Sequence, residues 1–213
     1  MERALTAELL DSLPAAAPEA RRSRRDLRRI NAIMGNERWF RRVTKHWVRD
    51  GEAMLEIGAG DGTLGSALNR GPLHAGLDLA PRPAHWPAAA AWHRTDARAF
   101  TGWGDYPVIC GNLIFHHFSS AELTALGQCF NRHARVVLAS EPARAAVWQW
   151  GFGLLCPLLR ASPVTRHDGR VSIAAGFRGD ELPRWLGLTA AAGWKSLVRC
   201  SPTGAYRLVA IRS

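Results

Sequence analysis

The segment Met54-Leu55-Glu56-Ile57-Gly58-Ala59-Gly60-Asp61-Gly62-Thr63-Leu64-Gly65 constrains the fold more than any other. A short apolar run passes straight into alternating glycines and then into a helical stretch, Leu64–Asn69. Glycines at 58, 60 and 62 let the backbone turn sharply where a side chain would block a ligand. The helix that follows offers unpaired N–H groups to that ligand. A tight turn with no ligand is the competing reading. A dinucleotide fingerprint would need glycine at position 63, which is Thr63, so a nicotinamide cofactor is disfavoured. Glu56 also suits a cationic ligand better than a pyrophosphate.

From residue 50 onward, strands and helices alternate. Met54–Ile57, Ala75–Leu79, Ala91–Thr95, Pro107–Phe115 and Arg135–Ser140 read as five strands, with helices predicted at Leu64–Asn69, Ala121–Arg132 and Asp180–Leu186. Trp194–Cys200 and Ala205–Ile211 read as two further strands joined by a Ser-Pro-Thr-Gly turn. The pattern predicts an α/β fold: a Rossmann-like, seven-stranded, mostly parallel sheet closed by a C-terminal antiparallel hairpin. Residues 1–49 read as a helical extension, and residues 50–213 as the main domain. In the extension Leu5, Leu9, Leu10 and Leu13 have helical spacing, as do Leu27, Ile30 and Met34 before Gly35, and Trp39, Val43 and Trp47 form a third stripe.

Asp78 ends the second strand, 20 residues after Gly58, where an acid can hold ribose hydroxyls. With Glu56, Gly58, Gly60 and Gly62 before it and Asp96-Ala97 after the third strand, the chain resembles the class I S-adenosylmethionine-dependent methyltransferases over roughly residues 50–213. That resemblance implies S-adenosylmethionine as cofactor. Glu56, Gly58 and Gly60 would then surround its methionine portion, Asp78 would hold the ribose hydroxyls and Asp96 would face the adenine amine, with Ala59, Gly62, Leu79, Ala97 and Asn112 completing the cofactor-binding set.

Methyl transfer is an in-line displacement, so positioning carries much of the catalysis, and a base is needed only when the acceptor must lose a proton. Gly111-Asn112-Leu113-Ile114-Phe115-His116-His117-Phe118 lacks the Asn/Asp-Pro-Pro-Tyr/Phe motif of amino-methyltransferases, which disfavours a base or glutamine amine as acceptor. His116 or His117 could deprotonate a phenol or enol; the competing reading is a pair that packs the cofactor floor. His167 and Asp168 could form an acid–base pair in the acceptor pocket, or a salt bridge that anchors its lid. The stretch 165–177, with the apolar run Ala145–Leu159 before it, would cover that pocket. Together with Ser140-Glu141-Pro142, these segments look like bacterial methyltransferases of polyketide and phenolic-lipid pathways. O-methylation of a small hydroxylated aromatic or polyketide-like acceptor is the leading expectation. A quinone-type C-methyltransferase, an RNA methyltransferase and a non-catalytic cofactor-binding protein are the alternatives. Trp86, Trp92 and Trp103 are expected to be structural.

Charge bears on partners. The formal net charge is +10, yet residues 21–49 hold eleven basic side chains against Asp26 and Glu37, and the rest of the chain is almost neutral. Those arginines could meet anionic lipid, phosphate or only water. Nucleic acid is disfavoured because the positive field does not extend into the main domain. Cys110, Cys129, Cys156 and Cys200 show no paired spacing, so neither a metal site nor a disulfide framework is expected. The Ala145–Leu159 run is shorter than the roughly 20 residues a bilayer requires. Acids near the N-terminus do not fit a signal peptide. A cytoplasmic protein is expected, peripheral at the inner membrane surface if the arginines bind lipid.

Overall fold

A computed structural model describes residues 1–14 and 16–212. Seven strands form one sheet: β1 (Met54–Ile57), β2 (His74–Asp78), β3 (Trp92–Arg94), β4 (Val108–Asn112), β5 (Val136–Pro142), β6 (Trp194–Cys200) and β7 (Ala205–Arg212). Their order is β3-β2-β1-β4-β5-β7-β6. β1 to β5 run parallel, and β7 lies antiparallel between β5 and β6. The winding reverses between β1 and β4, so the carboxyl ends of these neighbours open the crevice where α/β sheets bind ligands.

The central strands are buried on both faces, and period-two alternation sorts their side chains. Leu55, Ile57, Ile109, Val137 and Ala139 face a core shared with α5 (Ser120–His133) and α8 (Glu181–Trp185). Met54, Val108, Cys110, Val136 and Leu138 face a second core completed by Phe40 and Val43 of α3 (Asn36–Trp47). Helix α3 therefore covers one side of the sheet and shares its interior. Gly35, at φ +68°, makes the left-handed turn that stops α2 (Pro18–Met34) and starts α3. α4 (Thr63–Leu68) follows the glycine loop, and α5 begins with a full capping box between Ser119 and Glu122.

Four stretches differ from the sequence reading. The apolar run forms α6 (Ala146–Leu158), and the His-Asp stretch forms α7 (Pro163–Ala175). Glycines at 151, 153 and 169 and Pro157 masked both helices. Gly169 is required because a Cβ there would lie 2.1 Å from the Phe152 ring, where α6 crosses α7. Strand four stops at Asn112, because Leu113 adopts φ +58° and turns the chain out of the sheet. Of the leucine repeat near the N-terminus only α1 (Leu9–Ser12) is helical, and the preceding residues lie along α7, with Ala4 N–H donating to Ala174 O at 3.2 Å. At the sheet margins β3 has only three residues, and β6 leaves Lys195, Ser196, Leu197, Arg199 and Cys200 exposed. Cys110 and Cys156 are buried, and none of the four cysteines forms a disulfide.

Candidate functional site

The glycine loop leaves β1 with Gly58, Gly60 and Gly62 all at positive φ (65°, 55° and 73°). The three have different reasons to be glycine. A Cβ on Gly58 would lie 2.5 Å from the Ile114 side chain, and one on Gly62 2.9 Å from the Trp86 ring. Gly65 is similarly closed by Trp86, at 2.4 Å. Gly60 alone faces open space: the nearest atom to its Cβ position is a backbone oxygen of the same loop at 3.9 Å. Its N–H donates to Asp78 Oδ2 at 2.7 Å, and Asp78 Oδ1 accepts from Ala80 N–H at 2.7 Å. The loop and the acid that ends β2 thus form one unit, with the Leu79 side chain 68% exposed beside it.

The other acids of the expected cofactor set are differently placed. Glu56 does not reach this open space. Its carboxylate is buried beneath the loop, 2.9 Å from His74 Nε2, and burial raises its pKa despite the hydrogen bond from His74. β1 is enclosed on both faces, so a side chain from its last turn has no route to the surface. Asp96 is bound by Arg98 at 2.5 Å, and that ion pair holds its pKa down. Ala97 is buried beside it.

Helix α2 roofs the crevice. Arg28 Nη1 reaches Asp61 of the glycine loop at 3.1 Å. Asn31 Oδ1 accepts from Asn112 Nδ2 at 3.1 Å and from Asn36 Nδ2 at 2.8 Å. Asn36 also donates to Asn112 Oδ1 at 2.9 Å and accepts from Ser140 Oγ at 3.0 Å. This chain of amides ties the turn between α2 and α3 to the carboxyl ends of β4 and β5. Asn112 is a joint between the roof and the sheet.

Beside it, the turn after β4 is organised by Glu141. Its Oε1 accepts from Ile114 and Phe115 N–H at 3.0 and 2.9 Å, and its Oε2 pairs with His116 Nδ1 at 2.7 Å. His116 Nε2 faces Glu8 Oε1 at 3.3 Å. Burial alone would push this imidazole down. The hydrogen bonds to Glu141 and Glu8, with their charges, outweigh burial and lift it to about 9. His116, expected as a base, is therefore the buried cation of a bridge between two carboxylates and holds its proton at neutral pH. His117 differs: burial and the adjacent His116 charge lower its pKa, and its side chain stays 30% exposed. Its Nδ1 lies 3.7 Å from Asp11 and its Nε2 3.9 Å from Glu8.

The structure brings His167 and Asp168 to the same place, around α1. Asp168 accepts from Leu9 and Leu10 N–H at 2.8 and 3.0 Å, and from His167 Nδ1 at 3.0 Å. Its carboxylate, expected as half of an acid–base pair, is instead a cap for α1. Ser172 of α7 donates to Glu8. Arg3 donates to Ala175 O at 2.7 Å and Phe118 O at 2.8 Å, with its guanidinium over Phe177 and Trp185. Among the described residues, Glu8, His116 and His117 bring an oxygen and two ring nitrogens within 4.8 Å, a spacing a cation could use; the proton on His116 makes the link in this structure. Glu8, Glu141, Asn31 and Asn36 were missed from sequence. The one local signal was Ser140-Glu141-Pro142, an acid at the carboxyl end of a buried strand.

No family model matches the chain, and no curated protein does. Solved structures do. The plantazolicin methyltransferase BpumL in complex with SAH matches with TM-score 0.67 and 14% identity, over 93% of this chain and 91% of that one. The plantazolicin methyltransferase BamL, in complex with a triazolic desmethylPZN analog and SAH, matches with TM-score 0.65 and 12% identity, over 96% of this chain and 93% of that one. The pyocyanin biosynthetic protein PhzM matches with TM-score 0.59 and 17% identity; the alignment covers 97% of this chain and 62% of PhzM. The chain has the Rossmann-like fold of the class I methyltransferases.

Proposed function

We propose that this protein is an S-adenosylmethionine-dependent methyltransferase that acts on a small hydroxylated, aromatic or polyketide-like acceptor, with O-methylation as its reaction. One observation carries the reading: at the reversal point of the sheet, the open Gly60 turn is joined to the acid that ends β2. Fold neighbours that hold SAH support the same ligand class for this chain.

The residues fit such a ligand. Gly60 leaves room where any other residue would carry a Cβ, and Asp78 can turn its carboxylate from the loop to a pair of hydroxyls. Leu79 offers an exposed apolar surface next to it. When bound, S-adenosylmethionine supplies an electrophilic methyl group on a sulfonium. The chain's part is to orient and to keep water out, which the α2 roof does through Arg28 and Asn31. An O–H acceptor must also give up a proton. His117, neutral at pH 7 and partly exposed, is placed to take it, and Asp11 and Glu8 stabilise the imidazolium that results. C-methylation of a quinol-like ring asks the same of His117 and is the near alternative. The exposed arginines of residues 21–49 would add attraction for an anionic membrane where a lipophilic acceptor partitions.

Calorimetric titration tests the cofactor half: Asp78→Ala should bind S-adenosylmethionine at least tenfold more weakly than the native protein, and equal binding would sink the assignment. Incubation with radiolabelled cofactor and a panel of phenolic lipids tests the acceptor half.

A further inference from the structure

Helix α6 is apolar all round yet lies on the surface. Its sequence Ala-Val-Trp-Gln-Trp-Gly-Phe-Gly-Leu-Leu-Cys-Pro-Leu holds no charge, and Gln149 is its one hydrogen-bonding side chain of the amide, hydroxyl or charged kind. Of its described residues only Cys156 is fully buried. A helix with this composition normally sits inside a protein. Here Val147, Trp150, Leu154 and Leu158 form a single outward stripe and are 60%, 71%, 56% and 81% exposed. Loose packing does not explain this. The opposite side of the helix is fixed, with Trp148 against the core and Gly204 and Phe152 pressed on Gly169.

The charges nearest the stripe along the chain are positive. Between Glu141 and Asp168 the chain contains no acidic residue, Arg160 and Arg166 are exposed within that stretch, and Arg170 is exposed just after it. The arginine-rich α2 is fastened alongside by a buried network: Asp26 Oδ2 accepts from Ser162 N–H at 2.8 Å and from Thr165 Oγ1 at 3.1 Å. Arg22 of α2 donates to Arg160 O at 3.0 Å, and Arg21 and Arg25 are exposed on the same half of that helix. α3 spends its own apolar side chains on the sheet. The arginines and the apolar stripe thus come from different elements and meet at the turn between α6 and α7.

We infer that α6 is a membrane-docking helix. It lies in the plane of an anionic lipid surface with Val147, Trp150, Leu154 and Leu158 among the acyl chains, and the α2 and α7 arginines rest at the headgroups. It does not span the bilayer, because no helix among the described residues is long and apolar enough to cross a membrane. The inference stands whether or not the methyltransferase reading holds, since it uses none of the proposed cofactor or acceptor residues.

The test is co-sedimentation with phosphatidylcholine vesicles, with and without phosphatidylglycerol, across a salt series. The native protein should bind the anionic vesicles at least tenfold more tightly than the neutral ones and lose that preference as salt rises. Leu154→Glu/Leu158→Glu should weaken binding to anionic vesicles at least tenfold. Leu154→Phe/Leu158→Phe should retain it, which separates insertion from damage to the fold. Trp150 fluorescence should shift to the blue on anionic vesicles and lose that shift in Trp150→Phe. Unchanged binding by the glutamate variant would overturn the proposal. So would a native protein that ignores vesicles and instead dimerises through the stripe, which would assign this face to a second copy of the chain.

Discussion

Gly58 and Gly60 have similar backbone angles and very different surroundings. Alanine at Gly58 combines left-handed strain with a Cβ 2.5 Å from Ile114. Strain of roughly 1–2 kcal/mol and overpacking of roughly 1–3 kcal/mol then act together, and Gly58→Ala should lower the melting temperature by many degrees. Alanine at Gly60 meets only the strain, so its melting temperature should fall less, while its affinity for S-adenosylmethionine falls disproportionately. Differential scanning calorimetry beside cofactor titration separates the two, and parallel losses in both measurements would contradict the assigned roles. The adjacent histidines divide in the same way. His117→Ala should reduce turnover at least a hundredfold with cofactor affinity unchanged, as expected for loss of a general base. His116→Ala should chiefly destabilise the protein, because it leaves Glu141 and Glu8 as buried acids without their cation.

At the level of elements, the segment ahead of α2 depends on that cation. His116 is raised from 6.5 to about 9 by contacts that include Glu8 of this segment. Its stabilisation is fully present below pH 6.5, declines above it and is lost as pH rises through about 9, a loss of about 3 kcal/mol at most. The protection factors of the Leu9 and Leu10 amides, exchange relative to the intrinsic rate at each pH, should fall over that interval, and Asp168→Ala should lower them at neutral pH by removing the cap. Protection factors that stay constant from pH 6.5 to 9.5 would dissociate His116 from the docking. The elements that could be read in the sequence were those specified locally. The glycine loop, the buried strands and the Gly35 turn each show as a pattern of residues within a few positions of one another, and Asp78 shows by its place at the end of the second strand. Glu8, Glu141 and the Asn31–Asn36–Asn112 joint act on partners as many as 164 positions away, and no periodicity registers them. α6 and α7 were hidden for a further reason. Their glycines lower helical propensity, yet Gly169 is there so that two helices can touch.

For the whole molecule, division at residue 49 would cut through a core. Phe40 and Val43 close the face formed by Met54, Val108, Val136, Leu138 and Val209. Residues 50–213 expressed alone should therefore expose an apolar sheet face and aggregate, whereas the full chain should melt cooperatively. A soluble fragment with a native circular dichroism spectrum would show the two parts to be independent. The margins of the sheet bear on how whole molecules meet. One edge strand is only three residues long, and the other carries Lys195 and Arg199 facing outward. An incoming strand would find too short a ladder on one side and unpaired positive charge on the other, so the sheet does not template its own extension. A concentrated solution of folded protein should therefore be resistant to fibril seeding, even though its surface carries an uncharged helix.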